Sequence, residues 1–288
     1  MNGQVLVVGS GLMGTGIAVQ FARGGYSVRC YDPHPERLEE SGRMARAVLD
    51  EVFGGGNEER RQSSEALSRI NYSHSMEDKA VVTLVIEAAP ENLSLKRQLY
   101  SELEDSVAAD VIIASNTSGI LPDILSEGMR NPARFLIAHF WNPPHIIPLV
   151  ELVPGALTSR RYMTEMEAIL KAMLMEPVVL EHALPGFIGN RLQFAVIREA
   201  LNLLRSGVAS AETIDKVMTA SLGRRYVRMG PFAAADLGGL DTILSVAEHL
   251  MPYLAKDEGV LDLLRAKVNE GAVGRRSGRG FYAWDKGS

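Results

Sequence analysis

The stretch QVLVVGSGLMGTGIAVQFARGGYSVRCYD, residues 4–32, decides the fold. It opens with an apolar β-branched run, Gln4–Val8, and turns through Gly9, Ser10, Gly11, Leu12, Met13 and Gly14. A helix-forming segment, Met13–Arg23, follows, and a second strand-like run, Ser27–Tyr31, ends at Asp32. A GxGxxG run alone is weak evidence, because glycine-rich turns are common. Here it directly follows a strand and opens a helix, and an acid closes the next strand 18 residues after Gly14. Gly9 permits the tight turn, Gly11 lets the backbone approach a pyrophosphate, and Gly14 lets helix and strand pack closely. The helix amino terminus then offers free N–H groups to phosphates. Asp32 accepts hydrogen bonds from a ribose hydroxyl and repels a 2′-phosphate. With Pro33 and His34 next and no arginine before Arg37, the pattern favours NAD over NADP. The plainer reading is a tight turn and a helix-capping aspartate.

Outward from this unit the alternation continues. Strand-like runs are expected at Val81–Glu87, Val111–Ala114, Phe135–His139, Leu149–Val153 and Val178–Leu180. Helix-like stretches fall at Glu36–Phe53, Leu93–Ala108 and Arg160–Met175, and Gly54–Arg60 reads as a loop. Strand–helix alternation of this kind implies a mainly parallel, doubly wound α/β sheet of Rossmann type, covered on both faces. After Pro185-Gly186 the pattern becomes helical. Asn190–Arg205 carries a broad apolar stripe, Ser210 reads as an N-cap for a helix through Met218, and further helices are expected at Leu240–Leu254 and Val260–Asn269. Two domains follow: a dinucleotide-binding domain over 1–184 and an all-α carboxy-terminal domain over 185–288.

Composition narrows the function. In 288 residues, 46% are apolar, 23% are charged and the net charge is −5, so a large core is available and no basic stripe invites nucleic acid. Apolar runs such as VVTLVI are far too short to span a bilayer. No basic leader precedes the first strand, so a cytoplasmic protein is expected. Cys30 is the one cysteine, which excludes an internal disulfide and a cysteine-based metal site; no metal is expected.

The chemistry is announced by AHFWNPPHIIPLVELVPG, residues 138–155, where His139 and Glu151 stand twelve residues apart. His139 follows FLIA, and Glu151 interrupts PLVELV, so each sits in a run otherwise built for burial. A buried carboxylate is costly unless paired, and a nearby imidazole is a natural partner. The connection NPPHIIP, stiffened by three prolines, returns the chain at a fixed distance. That is the layout of an orienting acid behind a general base. The bland alternative is a core histidine and a coincidental glutamate.

Six ordered motifs carry a resemblance: SNTSGI at 115–120, HFWNPP at 139–144, ELVPG at 151–155, PGFIGNRL at 185–192, GPFAAADLGGLD at 230–241 and SGRGFYAW at 277–284. Together with the glycine turn, the chain resembles the L-3-hydroxyacyl-CoA dehydrogenase family along nearly its whole length. The resemblance implies an NAD-dependent oxidoreductase that interconverts 3-hydroxyacyl-CoA and 3-oxoacyl-CoA in fatty acid metabolism, working as a homodimer. His139 is then the general base and Glu151 its orienting acid. Ser118 and Asn190 hydrogen-bond the reacting oxygen, and Asn142 holds the nicotinamide side. Glu91 and Lys96, in PENLSLK, match positions that touch the nicotinamide ribose and its surroundings. Arg276 stands where many relatives have a lysine near the cofactor. The substrate is expected in a cleft between the two domains.

Two departures bear on the substrate. Typical acyl-CoA members carry lysines in the helical arm after the second strand, but residues 45–62 here, ARAVLDEVFGGGNEERRQ, have none. Arg43, Arg46, Arg60 or Arg61 are the available substitutes. The NPPHIIPLVELVPG segment is more similar to relatives that oxidise small non-thioester hydroxy acids: the L-gulonate dehydrogenase/lambda-crystallin group, carnitine dehydrogenases and a dehydrogenase of a pyridine carboxylate. GPFAAADLGGLD and SGRGFYAW instead resemble short bacterial 3-hydroxybutyryl-CoA enzymes. A 6-phosphogluconate-type dehydrogenase needs a lysine base on the first interdomain helix, and GFIGNRLQFAVIREAL, residues 186–201, has no lysine. A dinucleotide-binding protein on a retired scaffold predicts erosion of His139, Glu151, Ser118 and Asn190, all of which are present.

Overall fold

The apolar run Gln4–Val8 forms strand β1 in the computed structural model, which describes residues 3–54, 56–76 and 82–284. Its side chains alternate between two cores. Val5 and Val7 pack among Ile17, Phe21, Leu49 and Met166 on one face, while Leu6 and Val8 pack among Tyr100, Leu103 and Phe135 on the other. A strand buried on both faces reads as continuous β-branched residues, as this one does.

Strands β2 (Ser27–Tyr31), β3 (Ile70–Ser73), β4 (Val82–Glu87), β5 (Ile112–Ser115), β6 (Phe135–Phe140), β7 (Leu149–Pro154) and β8 (Glu176–Val179) complete an eight-stranded sheet. Its order is β3-β2-β1-β4-β5-β6-β7-β8, parallel except for the antiparallel β6–β7 pair. The chain reverses its direction of travel across the sheet between β1 and β4. In open α/β sheets that switch point, at the carboxyl ends of the strands, is where ligands bind.

Helices α1 (Leu12–Arg23), α2 (Pro35–Phe53), α3 (Asn57–Ser68), α4 (Leu93–Ser106), α5 (Pro122–Leu125) and α6 (Arg160–Ala172) connect the strands. Two expectations need correction. The segment Gly54–Arg60 is not all loop: Gly56 caps α3, which starts at Asn57 with Glu58 and Glu59 in its first turn, where acids favour a helix start. (Gly55, like Val81 of the expected third strand, lies outside the described residues.) The last strand is Glu176–Val179 rather than Val178–Leu180, and α6 stops at Ala172 because Leu174 takes a positive φ of 61°.

The chain divides into two compact units, the first running through Ile188 and the second starting at Gly189. The second unit is helical: α7 (Gly189–Arg205), α8 (Ala211–Ala220), α9 (Leu222–Tyr226), α10 (Pro231–Gly238), α11 (Leu240–Leu250) and α12 (Asp262–Asn269). Ser210 caps α8 by accepting from the Thr213 N–H at 3.3 Å. α11 ends four residues before the expected Leu254, passing into a 3₁₀ turn at Met251–Tyr253 that contains Pro252. No helix among the described residues is long and apolar enough to cross a membrane.

Candidate active site

The first-unit candidates lie at or beyond the carboxyl ends of the sheet strands. The glycine turn follows β1, Asp32 follows β2, Glu91 follows β4, Ser118 follows β5, and His139 and Asn142 sit at and beyond the end of β6. Glu151 comes from the antiparallel β7, in direct register with His139.

The glycine turn is held by backbone geometry. Gly9 has a φ of 100° and donates its N–H to the Tyr31 carbonyl at 2.8 Å, and a Cβ there would lie 2.6 Å from the Ala88 carbonyl oxygen. At Gly14 a Cβ would lie 1.8 Å from the Gly9 oxygen, so helix and turn meet only through glycine. Gly11 is different: a Cβ there meets nothing within 4 Å. Gly11 is also the N-cap of α1, and no side chain caps it. The first-turn N–H groups, those of Leu12, Met13 and Gly14 among them, are therefore left for a ligand with acceptor oxygens.

Asp32 serves this turn first. Its Oδ2 accepts from the Ser10 N–H at 3.1 Å and the Ser10 Oγ–H at 2.9 Å, and its Oδ1 accepts from the His34 N–H at 3.1 Å. The carboxylate is buried. A carboxylate offers about four acceptor positions, so these three donors leave room for one more. The turn, the uncapped helix and the acid together fit a dinucleotide.

Beneath the loops after β4 and β5 lies a buried network that the sequence reading missed. Glu87, 0% exposed, receives Lys96 Nζ at 2.6 Å and the Ala89 N–H at 2.7 Å on Oε1. Its Oε2 receives the Tyr100 hydroxyl and the Ser115 hydroxyl, each at 2.6 Å. Burial, and then the charge of Glu87, push the Tyr100 phenol far above its ordinary range. Lys96, 1% exposed, also donates to the Ala89 carbonyl at 3.2 Å and lies 3.4 Å from Glu91 Oε2. Glu91 Oε1 accepts from the Thr117 hydroxyl, whose oxygen accepts from the Ile120 N–H at 3.1 Å. Glu91 and Lys96 are thus brought together. The available signal was an acid closing an apolar strand, the pattern that marked Asp32.

His139 and Glu151 are brought together. His139 Nδ1 and Glu151 Oε2 are 2.9 Å apart, with the residues 7% and 2% exposed. With Nδ1 on the carboxylate, Nε2 is the nitrogen left for chemistry. Two further donors hold the carboxylate: Trp141 Nε1–H reaches Oε2 at 3.3 Å, and the Ile188 N–H reaches Oε1 at 2.9 Å. The second donor is set by a strained turn in which Gly186 and Phe187 have φ of 79° and 50°. The Phe187 ring, fully buried, packs 5.4 Å from the imidazole centroid. The Phe140 N–H donates to Asn116 Oδ1 at 2.9 Å, tying the end of β6 to the loop after β5.

Ser118 and Asn142 are exposed on their loops. Asn190 lies in the first turn of α7 and Arg276 in an exposed 3₁₀ turn, Arg275–Ser277, both in the second unit. No cluster of three or more His, Cys, Asp or Glu arranged to hold a metal ion occurs among the described residues.

A Rossmann-type sheet with this turn defines an NAD-binding dehydrogenase domain. Residues 4–183 match the model of the 3-hydroxyacyl-CoA dehydrogenase NAD binding domain, and residues 186–284 match that of the carboxy-terminal domain of the same family. The chain belongs to the 3-hydroxyacyl-CoA dehydrogenase family: it is an NAD-dependent oxidoreductase. It is 34% identical over 284 residues to the probable 3-hydroxybutyryl-CoA dehydrogenase of Bacillus subtilis, covering 98% of each chain. Among solved structures, it superposes with a TM-score of 0.89 on a 5-formyl-3-hydroxy-2-methylpyridine 4-carboxylic acid 5-dehydrogenase, at 31% identity, over 99% of this chain and 92% of that one. With the (S)-3-hydroxybutyryl-CoA dehydrogenase of Ralstonia eutropha the TM-score is 0.78 at 36% identity, covering 99% of this chain and 100% of the other.

Proposed function

We propose that the protein oxidises the 3-hydroxyl of a hydroxyacyl-CoA thioester, or reduces the corresponding ketone, with His139 as general base and Glu151 as its orienting acid. The observation that carries this reading is the 2.9 Å bond between His139 and Glu151 at the carboxyl edge of a dinucleotide-binding sheet. NAD, when bound, supplies the acceptor for the hydride leaving the carbinol carbon. His139 Nε2, neutral, takes the hydroxyl proton as the C–O bond becomes a carbonyl; the reverse reaction returns the proton from the imidazolium. Such a base contributes ~10²–10⁴-fold. Glu151 fixes the Nδ1–H tautomer and stabilises the imidazolium. Ser118 and Asn190 serve as neutral donors to the oxygen on which charge develops. Asn142 and Arg276 are assigned to the nicotinamide end of the cofactor and its surroundings.

Asp32 and Ser10 set the adenosine end, where the acid disfavours a 2′-phosphate. Lys96 is assigned a supporting part, since its ammonium is committed to Glu87; it steadies Glu91 for the cofactor ribose. The thioester substrate fits the 3-hydroxybutyryl-CoA dehydrogenases among the relatives and would place the enzyme in fatty acid metabolism, in the cytoplasm. A homodimer through the second unit is supported by its exposed apolar side chains, including Phe194, Val217, Phe232, Leu237 and Leu244.

A second reading, oxidation of a small non-thioester hydroxy acid, is favoured by two observations. The superposition on the pyridine-carboxylate dehydrogenase has the higher TM-score, and α2 and α3 carry no lysine. An absorbance assay at the reduced-nicotinamide band separates the two, with acetoacetyl-CoA, L-3-hydroxybutyryl-CoA, L-gulonate and carnitine in parallel. Turnover of the thioesters is expected; turnover of free acids alone would refute the thioester reading. Comparable rates with NADP would remove the role given to Asp32.

A further inference from the structure

We infer that Trp141 is a positioning residue that sets the proton affinity of the base, by sharing one oxygen of Glu151 with His139. This rests on the assignment of His139 as the base. In extended chain, residues two apart point to the same side, so Trp141, just past β6, follows His139 toward β7. Both then converge on Glu151 Oε2: His139 Nδ1 at 2.9 Å and Trp141 Nε1 at 3.3 Å. The two rings lie 6.0 Å apart at 56°, neither stacked nor in each other's way.

The consequence follows from what the carboxylate does. A carboxylate facing imidazolium stabilises the charged form and raises the histidine's proton affinity. A base too readily protonated is charged at working pH and takes no proton from an alcohol. The indole N–H is a pure donor and takes up no proton. Bonded to Oε2, it withdraws part of the negative charge that the imidazolium would otherwise receive. Trp141 therefore draws on the shared oxygen without displacing the carboxylate that orients the imidazole. The Ile188 N–H acts on the other oxygen, and so bears less directly on the bond to Nδ1.

The charged groups of the first-unit candidate site come from several elements. Glu151 is on β7; Glu87 and Lys96 are paired on β4 and α4; Glu91 is bound to Thr117 in the loop after β5. The Phe187 turn presents an apolar ring. Of these groups, Glu151 is the one bonded to both the imidazole and the indole.

The test is Trp141→Phe, which keeps an aromatic ring and removes the N–H. The pH dependence of kcat/KM for alcohol oxidation is measured beside the unsubstituted enzyme. The acid limb is expected to move up by about half a unit to one unit, with a loss of about three- to tenfold below it. A folded Trp141→Phe enzyme whose acid limb stays in place overturns the proposal. A second readout does not depend on that variant's folding. The chain has two tryptophans, so the Trp141 indole N–H resonance is readily assigned. It is expected to titrate with the base and to lose that titration in Glu151→Gln; a resonance indifferent to both overturns the proposal. His139→Gln separates the two failures. If it is inactive while the Trp141→Phe limb is unmoved, the tryptophan assignment alone falls; if it retains near-normal turnover, the base and the tryptophan fall together.

Discussion

The two ends of the first-unit site are built by opposite means. At the dinucleotide end the working surface is backbone, and the glycines act by what they lack. Gly9 bends the chain, Gly14 lets α1 approach the turn, and Gly11 leaves open space beside uncapped N–H groups. At the base end the working parts are side chains, buried and cross-linked between strands that run in opposite directions. The lesson is that the dinucleotide turn is encoded locally, within one strand–turn–helix unit. The His139–Glu151 contact instead depends on a register between two strands and on a turn near residue 187.

That contrast can be broken at either end, beginning with the largest effect. Glu151→Gln removes the charge while keeping the side chain's shape. It should lower kcat by ~10²–10⁴-fold, because the imidazole loses its tautomer and the imidazolium its counter-charge. NAD affinity, measured by fluorescence titration, should change little; a parallel loss of NAD binding would mean that the two ends are not separable. Gly14→Ala attacks the other end, driving a Cβ onto the Gly9 carbonyl. An overpacked backbone contact of this kind costs about 3 kcal/mol. Scanning calorimetry should therefore show a Tm lower by roughly 6–12 °C. Gly11→Ala sharpens the comparison, since its Cβ meets no protein atom within 4 Å. Stability should be unchanged while the Kd for NAD rises about tenfold or more, as expected for one methyl group pressed against a ligand. An unaltered Kd would show that the pyrophosphate does not pass over this turn.

The smallest effect is in pH. Burial pushes the Cys30 thiol, on β2 beside the dinucleotide end, up to about 12, and Tyr100 is displaced upward as well. Between about 8.5, the ordinary thiol value, and the raised one, the folded chain keeps a proton that the unfolded chain releases. Stability should therefore fall as pH rises through 9 and further above 10, where unfolded tyrosine ionises. Urea unfolding at pH 7.5 and pH 10 measures this; equal or greater stability at pH 10 contradicts it. At neutral pH Cys30 should remain inert to thiol reagents until the chain unfolds.

How much was legible in the sequence follows the same division. The β1–turn–α1–β2 unit was readable because its strand, glycine and acid signals all lie within residues 4–32, and the pairing of His139 with Glu151 was readable because both interrupt apolar strands. The edge strand β3 was not: Ile70–Ser73 has one buried side chain and no alternation to mark it. Helix α3 was hidden by the glycines before it, although its acidic first turn signalled a start. The Glu87 network escaped because its partners arrive from residues 9, 13 and 28 positions away on α4 and β5. Nothing in PENLSLK marks Lys96 for burial, and only the fold carries it inside. The second unit gave up four of its helices but neither α9 and α10 nor its packing. Helices α8 to α12 contain no buried side chain, so their apolar positions gave the helices without giving what they pack against.

The central claim is that His139, backed by Glu151, moves the proton when hydride leaves the substrate. Stopped-flow measurement of a single turnover in His139→Gln, with NAD saturating, addresses it directly. Reduced nicotinamide should form ~10²–10⁴-fold more slowly than in the unsubstituted enzyme, with the Kd for NAD preserved. A rate within about threefold of the unsubstituted value, in a folded and NAD-bound protein, would contradict the assignment of the base.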